Sequence, residues 1–209
     1  FMIDWKELSN EIRQAMPDLK ILDEEPLARH MSFRIGGPAA IFAQPATVDE
    51  LSKLLRFLAA RGISLRILGA GTNVLAPDEG LREVVICTKD ALTGLCDLGG
   101  GKIEAFAGET LSKTAVFARN LSLTGLEFAH GIPGTVGGGI YMNAGAYGGE
   151  MKQVAMETMV LTMDGETQVF AGEAQGFSYR TSAFEKLPVI IVKTIFQLAP
   201  GDKEEISAR

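Results

Sequence analysis

The sequence predicts an α+β protein built as two small lobes with a ligand between them. Three observations carry that reading. Residues 39 to 68 read as a compact strand–helix–strand unit, whereas the later part of the chain reads as strands joined by tight turns. A triple glycine, Gly99-Gly100-Gly101, punctuates the middle and marks a lobe boundary. Two glycine clusters fall one in each half, at 69–73 and 131–149. The expected organisation is 1–88 as N-terminal helix and first lobe, 89–200 as second lobe, and 201–209 as the start of a further domain.

Each element follows from local pattern. Trp5, Leu8, Ile12 and Met16 share one helical face that Pro17 stops, which predicts a helix over 4–16 packed on the body. An extended stretch through Arg34-Ile35-Gly36-Gly37-Pro38 leads into a strand at 39–44. Thr47-Val48-Asp49-Glu50 has the capping-box form, and Leu51, Leu54, Leu55 and Leu58 continue it as an amphipathic helix until Gly62. Strands are expected at 64–68, 83–88 and 102–107, with a helix at 110–120 that turns Leu111, Ala115 and Ala118 inward. Residues 154–163 and 166–171 flank Asp164-Gly165, a hairpin signal, and 189–198 is a last long strand. GDKEEISAR at 201–209 begins like a charged helix and ends after one or two turns, so it reads as a C-terminal portion cut short.

Composition narrows the function. A chain of 209 residues with 46% hydrophobic and 22% charged residues has an ordinary globular balance and room for a sizeable core. The net charge of -6 argues against nucleic acid or an anionic membrane as partner. No apolar run approaches the roughly 20 residues of a membrane span, and the amphipathic, acidic N-terminus is not a signal peptide. Cys87 and Cys96 are too few for a disulfide framework, and with only His30 and His130 there is no Cys/His metal spacing. A reducing cytoplasm and a metal-free site are expected.

The stretch from Gly131 to Gly149 holds eight glycines in nineteen residues. Glycine loses more conformational freedom on folding than any other residue, so such density needs a reason. Ile132, Pro133, Val136, Ile140, Tyr141, Met142 and Tyr147 are interleaved through it, so it is not a linker. It reads either as a glycine-rich packing corner or as a backbone-lined cradle for a flat, anionic cofactor such as a flavin. Gly69-Ala70-Gly71-Thr72-Asn73 follows a strand but lacks the third glycine and the helix of a dinucleotide fingerprint, and no Gly-Lys-Ser/Thr follows. Phosphate binding and a structural turn both remain open for it. Arg180 offers a planar, permanent charge for a carboxylate, with Tyr179 and Ser182 as donors beside it. His30 and His130 have no carboxylate partner in sequence and read as structural or rim residues.

Taken in order, several segments resemble one family. They are His30-Met31-Ser32-Phe33-Arg34-Ile35-Gly36-Gly37-Pro38-Ala39, Leu68 to Leu75 with Asp78 and Gly80, Ala107-Gly108, the run from Gly125 to Glu150, and Tyr179 to Phe184. Together they are similar to the MurB-type UDP-N-acetylenolpyruvoylglucosamine reductases over residues 28–198. One departure is Gly139, where alanine is usual. The GAGTN loop alone is shared by the wider FAD group of vanillyl-alcohol-oxidase-like enzymes, so such an oxidase is a second reading and a non-catalytic nucleotide-binding module a third.

The resemblance implies a PCMH-type FAD-binding fold, FAD as cofactor, NADPH as reductant and a UDP-sugar as substrate. It implies cofactor contacts at Leu68, Gly69, Ala70, Gly71, Thr72, Asn73, Val74, Leu75, Gly108, Gly131, Ile132, Pro133, Gly134, Val136, Gly137, Gly138, Asn143, Ala144 and Gly145. Arg180 takes the catalytic position, and Tyr179 and Arg180 the substrate contacts. The family draws its proton from a serine in a G-S-x-F-K/R-x-P motif, helped by a late glutamate, and that motif does not occur in these 209 residues.

Overall fold

The computed structural model describes residues 3–208. Helix α1 (Trp5–Ala15) starts where the Asp4 carboxylate accepts the Lys6 and Glu7 amides at 3.0 Å, and it buries Leu8 and Ile12. Strand β1 (Lys20–Pro26) follows and pairs antiparallel with β2 (Pro38–Gln44). The sequence reading left residues 20–26 unassigned, because KILDEEP carries the charges of a protected sheet edge rather than a strand pattern. Arg13 and Ser9 of α1 both bond the Asp23 carboxylate, the first at 2.9 Å, and so tie that edge to the helix.

Helix α2 (Val48–Ala59) forms as its periodicity predicts, with Leu51, Leu54, Leu55 and Leu58 fully buried. Its box is displaced by one residue: Thr47 accepts the Glu50 amide, but the Glu50 carboxylate accepts the Ala46 amide at 2.7 Å. Strands β3 (Leu65–Leu68) and β4 (Leu81–Cys87) complete a four-stranded sheet in the order β1-β2-β4-β3, with β4 parallel to both neighbours. The expected strand–helix–strand unit is therefore opened by β4, which inserts between its two strands. That position buries β2 on both faces: Ile41 and Ala43 point to one core, Ala39 and Phe42 to another.

The second sheet is antiparallel throughout. It contains β5 (Leu95–Gly99), β6 (Lys102–Phe106), β7 (Ala155–Thr162), β8 (Thr167–Ala171) and β9 (Val189–Gln197), in the order β8-β7-β9-β6-β5. β5 lay in the stretch read as a boundary; its exposed, glycine-ended sequence pairs only because β6 turns back on it. Helix α3 (Leu111–Asn120) is capped by Thr110, and α4 (Val136–Tyr141) is a short helix inside the glycine cluster. Glycine disfavours helix, so α4 is imposed by tertiary bonds: Val136 and Gly137 donate to Glu109 O and Ala107 O at 2.8 and 2.9 Å. Helix α5 (Lys203–Ala208) is capped by Asp202 and buries Ile206. No helix among the described residues is long and apolar enough to cross a membrane.

One large core joins the two sheets. It runs from Ile41, Leu51, Leu54, Val84 and Ile86 to Val160, Ile190, Val192 and Phe196. Ser52 donates to Gly165 O at 2.8 Å and Arg56 pairs with Glu166 at 2.8 Å, so α2 is fastened to the β7–β8 turn. Inside the second sheet, the fully buried Thr158, Gln175 and Thr194 bond one another, and Gln175 Nε2 also donates to Ala155 O at 3.0 Å.

Two outcomes follow. Gln175→Ala leaves the buried Thr158 hydroxyl and the Ala155 carbonyl without their amide partner and lowers unfolding free energy by about 1–3 kcal/mol in urea titration. Burial pushes the Cys87 thiol up to about 11 while Cys96 is exposed. Native protein at pH 8 should therefore take one iodoacetamide adduct, at Cys96, by intact mass.

Candidate functional site

The GAGTN loop is held by its ends and its carbonyls. Leu68 and Ala76 anchor the two ends in the smaller core, against Leu27, Met31 and Phe42. Between them Gly71 sits at φ 62°, and a methyl group there would overlap the His30 carbonyl oxygen. Ser32 donates its amide to Gly71 O at 2.9 Å. With those contacts made, the amides of Ala70 to Leu75 donate to no protein group among the described residues. A run of backbone N–H groups without protein acceptors suits an anion. The loop is a structural turn that still keeps donors to offer. His30 has the structural role expected of it: its ring stacks on Phe42 at 4.1 Å and meets Glu25 Oε1 at 3.0 Å.

The second cluster faces the first. Thr72 Oγ1 donates to Pro133 O at 3.1 Å, and Asn73 Nδ2 lies 3.7 Å from Met142 Sδ. A methyl group at Gly69 would stand 2.7 Å from Thr135 Oγ1. The glycines of this region then divide by what a side chain would meet. At Gly108, Gly137 and Gly145 it would strike protein, for example Ala107 Cβ at 2.9 Å from Gly137. At Gly131 and Gly138 the nearest atoms are 4.0 and 3.5 Å away, and neither residue has a positive φ. Packing and backbone geometry do not account for the missing side chains at these two. Gly138 is exposed, and its one neighbour, Thr135 Oγ1, is the cap of its own helix. Such a surface fits a flat ring system laid between the clusters.

The donors differ from the expectation of a cradle lined wholly by amides. Gly131, Gly134 and Thr135 keep theirs free, but the Val136, Gly137 and Gly138 amides go to Glu109 O, Ala107 O and Thr135 Oγ1. Those three offer surface rather than hydrogen bonds, and the Val136 side chain itself is in the core. Ala144 is buried as well, whereas Ile132 and Gly145 are partly accessible.

Arg180 occupies a turn closed by Ser178 N–H to Thr181 O at 3.0 Å. Its backbone is left-handed, at φ 54°, which a long side chain adopts only when its surroundings impose it. Its guanidinium makes no hydrogen bond or ion pair among the described residues and sits 5.9 Å from the Tyr179 ring. Arg180 and the 86% exposed Tyr179 border a cavity of about 300 Å³ with Asn143, Tyr147 and Glu150. Lys152 at 2.6 Å holds the Glu150 carboxyl below the usual carboxylate range, helped by the Asn143 amide and the Arg180 charge.

Two polar residues have other roles than the sequence assigned. The Ser182 hydroxyl is buried and donates to Tyr141 O at 2.6 Å, so it is not a donor beside Arg180. Asn143 is 1% exposed and spends its amide nitrogen on Glu150 Oε2 at 2.7 Å and Ser178 O at 2.9 Å. No side-chain donor is left there for a flavin. Glu150 and Ser178 were missed in the sequence, since only the fold brings positions 143, 150 and 178 together.

Comparison with known proteins gives the family. A family model described as an FAD binding domain covers residues 39–171. A UDP-N-acetylenolpyruvoylglucosamine reductase of Syntrophomonas wolfei is 38% identical over 96% of this chain and 67% of its own. The chain belongs to the FAD-binding domain family, in its UDP-N-acetylenolpyruvoylglucosamine reductase branch. The reductase of Carboxydothermus hydrogenoformans is 41% identical over 89% of this chain and 61% of its own length. The crystal structure of the Thermus caldophilus enzyme (MurB) superposes with a TM-score of 0.76 at 32% identity, covering 91% of this chain and 65% of that one. The chain thus spans about three-fifths to two-thirds of the length of these relatives. BBE-like 1 of Physcomitrella patens, at 13% identity and a TM-score of 0.68, shares the fold.

Two glycine variants separate packing from ligand contact. Gly71→Ala should lower the melting temperature, because its side chain meets the His30 backbone. Gly138→Leu should melt at or above wild type, since leucine favours helix, yet weaken FAD uptake by on the order of tenfold or more in fluorescence titration.

Proposed function

We propose that this chain forms the cofactor-holding part of a cytoplasmic, NADPH-driven reductase that converts UDP-N-acetylglucosamine enolpyruvate to UDP-N-acetylmuramate. The observation that carries it is that the Ala70–Leu75 amides lack protein acceptors among the described residues, while the cluster joined to that loop through Thr72 and Pro133 has bare positions at Gly131 and Gly138 that packing does not explain. When bound, FAD accepts hydride from the nicotinamide and supplies it to the enolpyruvyl double bond.

The residues divide the remaining work. The Ala70–Leu75 amides would hold the pyrophosphate, and the Thr72 hydroxyl ties their loop to Pro133, while Gly131, Gly134 and Gly138 would admit the ring system. Gly108, Gly137 and Gly145 support this wall through close packing rather than contact. Arg180 engages the enolpyruvyl carboxylate through its planar fork, with the Tyr179 hydroxyl beside it. As hydride arrives at one carbon, negative charge moves toward that carboxylate, and the unpaired guanidinium stabilises it. In the family a serine supplies the proton for the adjacent carbon, and these 209 residues do not contain its motif.

Mixing the purified chain with FAD should give a yellow complex with saturable quenching, and NADPH should bleach it under argon. A protein that stays colourless overturns the proposal. In the full-length gene product, Arg180→Lys should cut turnover of the enolpyruvyl sugar by about 10², with FAD uptake retained; the lactyl-ether product is read by mass spectrometry.

A further inference from the structure

Between Ser178 and Thr181 the Arg180 turn buries no side chain, and Phe177 just before it is partly buried against the core. Hydrogen bonds fix both its ends, and their partners are the last residue of α4 and a residue just beyond it. The Asn143 side chain grips Ser178 O at 2.9 Å at the start of the turn. Tyr141 O receives the Ser182 hydroxyl at 2.6 Å just past its end. The Asn143 amide is itself anchored twice more, to Glu150 Oε2 at 2.7 Å and from the Lys152 amide to Oδ1 at 2.9 Å.

Residue type matches the task. Position 143 has φ 45°, a region that asparagine tolerates better than most residues. The site asks for two donors and one acceptor within one short, buried side chain, and a primary amide provides both kinds. An aspartate would have no donor for Ser178 O and would set a second carboxylate against Glu150. The segment that carries Asn143 also ends α4, whose N-cap Thr135 lies against Gly69 and whose C-cap Met142 lies 3.7 Å from Asn73 of the GAGTN loop.

We propose that Asn143 is a positioning residue: its amide fixes the Tyr179–Arg180 turn, and hence the Arg180 guanidinium, relative to the α4 glycine wall. Its Nδ2 and Oδ1 are bonded to protein groups, so it acts through Arg180. Its kinetic consequence rests on the reductase reading above, whereas the clamp itself does not.

The test uses Asn143→Gly, which keeps the left-handed backbone and deletes the amide, and Asn143→Asp, which keeps the volume and removes both donors. In the 209-residue chain, hydrogen exchange over residues 176–184 should speed up at least tenfold in both variants, with the α3 amides unchanged. Unchanged exchange at the turn overturns the clamp, whatever the protein's reaction. In the full-length gene product, Asn143→Gly should lower turnover by on the order of 10², but only a few-fold in an Arg180→Lys background. A side chain that acts through Arg180 gives such non-additive losses; additive ones overturn the positioning role. Wild-type protein that binds FAD but does not turn over the enolpyruvyl sugar sinks the reductase reading, and exchange at the turn still decides the clamp.

Discussion

The close approach of the Gly71 and His30 backbones is the constraint on which the site depends. A hydrogen in place of a side chain lets the two chains meet, and the Ser32 amide then closes on Gly71 O. With the loop fixed at Gly71, the amides of Ala70 to Leu75 still have no protein acceptor among the described residues. The same placement lets Thr72 reach Pro133 and sets Gly69 against Thr135. Everything on the far wall is positioned relative to that loop. An L residue at 71 would need both a left-handed backbone and the space of the His30 carbonyl.

Charge is arranged with the same economy. Arg13, Arg29, Arg56, Arg61, Arg66 and Arg82 each pair with a carboxylate, in keeping with an acidic chain. Arg180 does not, although Glu150 is near enough to feel it. Lys152 takes the Glu150 carboxylate, which leaves the guanidinium without a competing partner. An anionic ligand therefore need not displace an existing ion pair to reach it.

The helices and most strands were legible because their cause is local. Leu51, Leu54, Leu55 and Leu58 repeat at the helical period, and Thr47 announces the start. β1 was hidden by its charges, and the insertion of β4 between β2 and β3 is a long-range pairing that no window of sequence contains. α4 was hidden because its reason lies in Glu109 and Ala107. At the site, the residue types of the glycine clusters and of Arg180 pointed to the chemistry. What Asn143 and Ser182 bond was not readable, since their partners lie 35 and 41 positions away. Polar side chains carry no mark of whether they face a ligand or the protein itself.

The core that joins the sheets also limits how a cofactor could enter. Prising the sheets apart would bare Leu51, Leu54, Val160 and Phe196 to water, at about 25 cal/mol for each Å² of apolar area. It would also break the Ser52 and Arg56 bonds to the β7–β8 turn. The loop that bears the bare amides is tied more lightly, by the Ser32 amide to Gly71 O and the Thr72 hydroxyl to Pro133 O. Moving that loop breaks two hydrogen bonds and leaves the joint core intact, so loop motion is the cheaper route of entry. Exchange protection should run evenly through β2, α2 and β9 and fall away over 70–75.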